Sequence, residues 1–194
     1  SGVSWSYSAA PNSGSPYYST RSLYGVAFGN STFVAVGQSG KIVRSINNGS
    51  SWSNVTTGRE PYTYGSNDFE GVSFGNNTFV AVGDSGSIIR STNDGSSWDN
   101  VTAVNNNNLY GVTFGNNTFV AVGSSGTIII SDNGTSWSNP SPGGNTLWSV
   151  TFGNNTFMAV GNGGRIVKST DNGSNWSVST SRTTNNLFGV AFGD

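Results

Sequence analysis

The chain contains no cysteine and no histidine, and only 9% of its 194 residues are charged. Without cysteine it can form neither a disulfide nor a thiolate metal site. The common nucleophile and base triads of hydrolases rely on histidine or cysteine, so those triads are excluded too. We therefore expect a protein that is not an enzyme and that holds no catalytic metal and no cofactor.

The few charges are scattered singly, eight basic against nine acidic, for a net charge of −1. Proteins that bind nucleic acid neutralise phosphates with a basic stripe, which this chain lacks, so we expect no nucleic-acid partner. A membrane span needs about 18 apolar residues in a row. The chain has neither such a run nor a signal peptide, so we expect no membrane insertion and a numbering that starts at a mature or trimmed end. High polarity with low charge favours an extracellular or cell-surface location.

An internal repeat of about 40 residues dominates what is present. The segment 71–83 reads G-V-S-F-G-N-N-T-F-V-A-V-G and returns almost unchanged at 25–37, 111–123 and 149–161, with the start of a further copy at 189–194. We divide the chain, a single domain over 1–194, into repeats near 25–70, 71–110, 111–148 and 149–188, with a split repeat from 1–8 and 189–194.

Each repeat reads as four short strands, named A to D. In the second repeat, strand A covers 71–74, strand B 78–82 and strand C 87–90, and strand D begins at Trp98. Four-stranded units of this period are typical of a β-propeller, whereas the coils of a β-helix are shorter. The sequence predicts an all-β propeller with four complete blades and an incomplete fifth. It also predicts strands near 25–28, 32–36, 41–45 and 51–54, and burial of Trp52, Trp98, Trp137 and Trp176.

The turn between strands C and D carries a family resemblance. Residues 169–176, S-T-D-N-G-S-N-W, match S-x-D-x-G-x-x-W and resemble the Asp-box of sialidase-type (BNR) propellers. The copies at 45–52 and 91–98 have asparagine at the aspartate position, and the copy at 131–137 is one residue shorter. Together with V-A-V-G-x-x-G-x-I before it, the repeat resembles propellers of the photosystem II stability and assembly factor group. Such boxes hold hairpins together, so we assign them no chemistry.

The sialidase resemblance would imply three arginines, a tyrosine nucleophile with a glutamate, and an aspartate acid. Arg44, Arg90 and Arg165 instead recur near one position of strand C, which indicates a position of the repeat and not a substrate-binding cluster. The one acidic cluster is Glu60, Asp68 and Glu70, which we interpret as a solvated loop.

Two connections between strands D and A are longer than the others and are the candidate ligand-binding segments, because long loops on a rigid scaffold often carry function. Tyrosine offers a flat apolar face and a hydroxyl for sugar or protein contact. The alternative is that these tyrosines only pack the loops onto the blades. The candidate residues are Tyr17, Tyr18 and Arg21 in the first loop, and Arg59, Glu60, Tyr62 and Tyr64 in the second.

The strand count is uneven, because strands A and D each occur five times while B and C occur four times. The ring could close irregularly, be completed by another copy, or belong to a longer array. Because unpaired strand edges attract further strands, we predict that 1–8 and 187–194 lie at or near an intermolecular contact.

These observations predict a structural, adhesive or protein-interaction propeller that self-assembles through its incomplete blade. The alternative is a glycan-binding lectin that uses loop aromatics or pockets between blades. An assembly factor and a degenerate glycosidase-like propeller are lesser alternatives.

Overall fold

The computed structural model describes residues 22–56 and 68–193. Their fifteen strands form successive antiparallel sheets in which neighbouring strands follow chain order. Each sheet is one blade, and the all-β propeller prediction is confirmed. Blade 1 contains β1 (Leu23–Gly29), β2 (Thr32–Gly37), β3 (Ile42–Ser45) and β4 (Ser53–Asn54); blade 2 contains β5 (Phe69–Gly75), β6 (Thr78–Gly83), β7 (Ile88–Ser91) and β8 (Asp99–Val101); blade 3 contains β9 (Leu109–Gly115), β10 (Thr118–Gly123) and β11 (Ile128–Ser131); blade 4 contains β12 (Leu147–Gly153), β13 (Thr156–Gly161), β14 (Ile166–Ser169) and β15 (Ser177–Ser179).

The local sequence explains why each hairpin forms where it does. Strands A and B meet through a two-residue turn, Asn-Ser in blade 1 and Asn-Asn in blades 2 to 4, and in blade 2 both Asn76 and Asn77 have positive φ, 47° and 55°. Consecutive positive φ angles match the right-handed twist of the flanking strands, and asparagine tolerates them. A single three-residue 3-10 turn then links strands B and C in every described blade. Within residues 22–56 and 68–193 no helix has the length and apolar character needed to span a bilayer.

The hydrophobic cores lie between blades, because successive side chains of a strand point to opposite faces of the sheet. On strand B of blade 2, Val80 and Val82 face blade 3 and pack with Phe119 and Ala121 of that blade. The other face of the same strand, Phe79 and Ala81, packs against blade 1. The strands B of blades 1 to 3 therefore carry a valine face toward the next blade, and those of blades 2 to 4 carry a Phe-Ala face toward the preceding one.

A phenylalanine also locks each blade to its predecessor. The ring of Phe74 at the end of strand A lies against Gly29 of blade 1, where a β-carbon would come within 2.1 Å of the ring. The same arrangement recurs between Phe114 and Gly75, and between Phe152 and Gly115. Gly29, Gly75 and Gly115 thus leave the space that the next blade fills.

Three sequence predictions need correction. Of the four repeat tryptophans, only Trp98 is buried, while Trp52, Trp137 and Trp176 are half-buried. Strand D of blade 3 shrinks to a single bridge between Ile130 and Ser138.

The final segment, predicted as a fifth strand A, has no regular strand structure, since the strand B with which it would pair does not exist among the described residues. We call residues 186–193 the tail. The predicted terminal strand within residues 1–8 lies outside the described part of the chain.

The segments 45–52, 91–98, 131–137 and 169–176, here named the C–D turns, are held by their own side chains. In blade 4 the Asp171 carboxylate accepts the Ser169 hydroxyl at 2.8 Å and the Asn175 amide at 2.9 Å. The Gly173 amide donates to Ser169 Oγ at 2.9 Å. Asn47, Asn93 and Asn133 accept the corresponding serine hydroxyls in the other turns, so the amide replaces the carboxylate without loss of these bonds.

Candidate functional site

The candidate loop residues from the sequence lie outside the described residues. They are Tyr17, Tyr18, Arg21, Arg59, Glu60, Tyr62 and Tyr64. Both loops lead directly into the start of a strand A, at β1 and β5. The first residues of the A strands are therefore the described part of the molecule that is nearest in sequence to the candidate loops.

The second residue of strand A varies from blade to blade, although the surrounding repeat hardly changes. It is Tyr24, Glu70, Tyr110 and Trp148 in blades 1 to 4, and Phe188 at the equivalent position of the tail. We call these five residues the inner rim. Sequence reasoning singled out only Glu70 of these five, as part of an acidic cluster, but variation at one fixed repeat position was a signal that could have found the other four.

Aromatic rings on the inner rim form a continuous strip. The ring centroids of Tyr110 and Trp148 lie 4.4 Å apart at a 36° tilt, and those of Trp148 and Phe188 lie 6.0 Å apart. Trp148 is oriented by its indole N–H, which donates to Asn162 Oδ1 at 2.6 Å. Phe188 is 68% exposed at one end of the strip. The strip offers flat apolar faces of the kind that stack on sugars or on apolar side chains.

Carboxylates gather at the other end of the inner rim. Asp68 Oδ1 accepts the Ser39 amide of blade 1 at 2.8 Å, and Asp84 Oδ2 accepts the Asp68 amide at 3.4 Å. Glu70 is half-buried beside them. Of the predicted cluster, Asp68 and Glu70 do lie near each other, and Asp84, from the turn after strand B, joins them, while Glu60 lies outside the described residues. The interpretation as a solvated loop needs correction for Glu70, which is half-buried on β5.

Burial and like charge raise the pKa of these groups. The pKa of the Glu70 carboxyl is raised first by burial and then by the charges of Asp84 and Asp68. The pKa of Asp84 is raised by burial, against a bond from the Asp68 amide that favours its ionised form. Burial also raises the pKa of Tyr24, assisted by Asp68, Glu70 and Asp84. This end of the rim is therefore electronegative, which disfavours adding further negative charge.

The C–D turns also connect neighbouring blades. In the turn of blade 2, Asp94 accepts the Asn30 side chain of blade 1 at 3.0 Å, and its carbonyl accepts Arg44 Nε at 2.5 Å. A β-carbon on Gly95 would meet Val34 of blade 1 at 2.7 Å, so this glycine packs directly on the preceding strand B. Arg44 thus has a structural partner.

The shortened turn of blade 3 breaks this pattern. It lacks a residue at the position of Asp94, and the Nε atom of Arg90, which matches Arg44 in register, is buried without a partner. The sequence interpretation grouped Arg165 with these two arginines. The register instead aligns them with Lys168 of β14, while Arg165 precedes that strand and donates to the Gly143 carbonyl.

A cleft of about 400 Å³ lies beside the turns of blades 3 and 4, lined by residues that include Thr118, Trp137 and Asn172. Asn172, which lines this cleft, donates from its side chain to Thr118 Oγ1 of blade 3 at 2.6 Å.

Among the described residues, no blade precedes blade 1, and only the tail follows blade 4. On blade 1, Val26 is 63% exposed, whereas the equivalent Val72 of blade 2 is 8% exposed. Leu23 and Phe28 are exposed on the same strand. We name these three residues, with Phe33 and Ala35 of β2, the front face.

On blade 4, the face that would meet a following blade consists of Met158, which is half-buried, and Val160, which is buried, on β13. We name it, together with Lys168, the back face. A cleft of about 310 Å³ opens over Thr156, Met158 and Lys168 and is bordered by Val190 and Phe192 of the tail.

No protein-family model and no curated protein matches the chain. Among solved structures, YCF48 from Cyanidioschyzon merolae superposes with a TM-score of 0.67 at 18% identity, over 89% of this chain and 60% of that one. The WD40 β-propeller domain of Doa1 gives 0.59 at 13% identity, over 80% and 53%. An ancestral GH74 enzyme gives 0.62 at 23% identity, over 79% of this chain but 23% of its own.

At these sequence identities, the structural similarity shows only that the chain has the propeller fold. The chain spans about 60% of the YCF48 chain and smaller shares of the other two. The Asp-box affiliation stays a prediction. In the described residues, no group of three histidine, cysteine, aspartate or glutamate side chains is placed to hold a metal ion.

Proposed function

We propose that the chain is a non-enzymatic interaction module that assembles with further copies through its open front and back faces. The observation that carries this proposal is the 63% exposure of Val26 against 8% for Val72, its equivalent in blade 2. The same side chain is a core residue in blade 2, which has a described blade before it, and an exposed residue in blade 1, which has none among the described residues. An assembled neighbour would restore the buried state.

The size of the exposed apolar surface supports an assembly role. Burying a valine, leucine or phenylalanine side chain stabilises a complex by about 1.5–3 kcal/mol. Leu23, Val26 and Phe28 are each between 40% and 63% exposed on one strand. Covering all three therefore stabilises a complex by the sum of their burial free energies, which must exceed the free-energy cost of association. Contiguous apolar patches of this kind mark interaction sites in soluble proteins.

The charged groups support a role without catalysis. Arg44 is bound to a backbone carbonyl of the next blade, and Asp68 caps an amide of the preceding one. Both side chains therefore serve blade contacts. The raised pKa of Glu70 has a sufficient cause in burial and neighbouring carboxylates.

The surface composition supports display outside the cell, as a structural or adhesive component. Charged residues are scarce, and serine, threonine and asparagine cover the turns. A lesser role as an assembly factor rests on the blade consensus, which reports fold and not function. The resemblance to glycosidase-like propellers has the same limit.

Light scattering across a concentration series tests the proposal. We expect the full chain to gain mass with concentration. A chain that stays monomeric throughout the series would reject assembly as its function.

A second candidate is glycan binding at the inner rim, favoured by the stacked rings of Tyr110 and Trp148 at 4.4 Å. We expect Trp148→Ala to abolish binding on a glycan array and Trp148→Phe to retain part of it, since phenylalanine keeps a flat face. Thermal melts of both variants control for folding. Equal binding by Trp148→Ala and the wild-type chain, or no glycan bound by the wild type, would remove this candidate.

A further inference from the structure

We infer that blade 1 of a second copy docks on blade 4, with its strand β1 replacing the tail and its C–D turn entering the cleft of about 310 Å³. This inference rests on the proposed function and names its partner and its contacts. It follows from comparing the two open faces with the complete interfaces between blades.

A complete interface in this chain has three parts. A phenylalanine from strand A of the following blade lies on a glycine of the preceding one, as Phe114 does on Gly75. A valine face meets a Phe-Ala face. The glycine of the following C–D turn packs on the preceding strand B, where a β-carbon on Gly134 would meet Val80 at 2.9 Å.

The tail supplies the first part to blade 4. A β-carbon on Gly153 would lie 2.0 Å from the Phe192 ring, matching the contact between Gly75 and Phe114. Asn186 Oδ1 accepts the Gly163 amide at 3.0 Å, just as Asn108 Oδ1 accepts the Ser85 amide between blades 2 and 3. The tail therefore occupies the place of a following strand A.

The tail does not supply the other two parts, because the described residues include no fifth strand B and no fifth C–D turn. The cleft is the space that those elements would fill. It is lined by Met158 and Lys168, the counterparts on blade 4 of Val34 and Arg44, which contact the C–D turn of blade 2.

Blade 1 has a Phe-Ala face and a C–D turn that contact no preceding blade among the described residues. A β-carbon on its C–D turn glycine, Gly49, would meet no atom within 4 Å, whereas Gly95, Gly134 and Gly173 all contact a preceding blade. Its Phe-Ala face, Phe33 and Ala35, has no preceding valine face among the described residues. Docked on blade 4, Gly49 would lie on Met158, and the Asn48 carbonyl would face Lys168.

The sequence of β1 fits the place held by the tail. Residues 23–29 read L-Y-G-V-A-F-G and residues 187–193 read L-F-G-V-A-F-G, identical at six of seven positions. Because blade 1 brings a whole sheet and the tail a single segment, the exchange buries more apolar surface. Within one copy the two do not meet, since β-carbons on Gly189 and Gly193 of the tail would meet no atom within 4 Å and Val26 stays exposed.

Matched variants test each contact by light scattering and sedimentation. Val26→Lys places a charge in the docked face, and Gly49→Asn adds a side chain where Met158 would lie, so we expect each to weaken association by at least about tenfold. The controls are Val178→Lys, a comparably exposed valine on β15, and Gly143→Asn, a glycine with positive φ and open space. Both should associate like the wild-type chain.

Deleting 187–194 distinguishes this docking from completion of the tail by another segment. We expect the deletion to strengthen association by about tenfold, because it removes a competitor for the same place. Weaker association after deletion would overturn the inference. Association that persists unchanged in both Val26→Lys and Gly49→Asn would also overturn it while leaving the proposed function intact.

Mixing two defective copies guards against variants that simply misfold. Val26→Lys retains an intact back face, and Met158→Lys retains an intact front face. Each should be monomeric alone, and a mixture should form a one-to-one dimer through the single intact interface. Absence of that dimer, or a wild-type monomer in which Val26 is protected from solvent, would reject docking by a second copy.

Discussion

Gly115 lies directly under the ring of Phe152, so close that a β-carbon on the glycine would be 2.1 Å from Phe152 Cγ. No real β-carbon tolerates such a contact, so the glycine and the phenylalanine of the next blade form one packing unit. The same pair recurs between Gly153 and Phe192, but there the phenylalanine belongs to the tail.

We expect Gly115→Ala to lower the free energy of unfolding by about 3 kcal/mol, because the added methyl group separates blades 3 and 4. Gly153→Ala should cost less, since the tail can detach and leave four blades intact. Urea unfolding followed by tryptophan fluorescence measures both. An equal loss of unfolding free energy in Gly115→Ala and Gly153→Ala would contradict this expectation.

Asp171 provides a pH-dependent test. Bonds from the Asn175 side chain and amide and from the Ser169 hydroxyl hold the pKa of its carboxyl at about 2. A carboxyl with a lowered pKa contributes stability above the unfolded pKa and loses it as pH falls through the folded one. The wild-type chain should therefore lose stability relative to Asp171→Asn between about pH 4 and pH 2. Thermal melts over that range check this, and parallel pH profiles for the two proteins would refute it.

Glu70 should have the opposite effect, because burial and the charges of Asp84 and Asp68 raise the pKa of its carboxyl. A carboxyl with a raised pKa contributes stability below its unfolded pKa and loses it as pH rises through the folded value. Glu70→Gln should thus match the wild-type chain in acid and be more stable at pH 7. Asp99→Asn, an exposed carboxylate on β8, serves as the control in denaturant titrations. A wild-type chain more stable than Glu70→Gln at neutral pH would oppose this expectation.

Arg44 and Arg90 differ only in their partners across the blade interface. Arg44 Nε donates to the Asp94 carbonyl, whereas Arg90 Nε is buried without an acceptor because the turn of blade 3 is one residue shorter. Arg44→Met should therefore cost about 1–2 kcal/mol more than Arg90→Met. Chemical denaturation of both variants measures the difference. A larger loss for Arg90→Met would mean that its Nε has a partner.

The repeat made the blades predictable from sequence. The prediction of strands near 25–28, 32–36 and 41–45 agrees with β1, β2 and β3, because T-F-V-A-V-G and the two-residue turn that begins at Asn30 specify strand and hairpin locally. The bonds of the C–D turns were equally local, since Ser169, Asp171 and Gly173 lie within five residues.

Contacts between blades could not be read in the same way. Asp84 joins Asp68 and Glu70 only because the turn after strand B of one blade lies beside strand A, and spacing along the chain does not reveal this. The docking of Gly95 on Val34 joins residues in different repeats, so a local motif does not predict it. The incomplete end was predictable as a count of strands, but the position of the tail on blade 4 depends on tertiary contacts.

The interlocking of Phe74, Phe114 and Phe152 with glycines of the preceding blade has a consequence for the gene. Because the same phenylalanine–glycine contact recurs at each of these junctions, a recombination event that inserts or removes one whole repeat preserves that contact at the junction it creates. Gene duplication can therefore change the number of blades while keeping the contact that locks each blade to the preceding one.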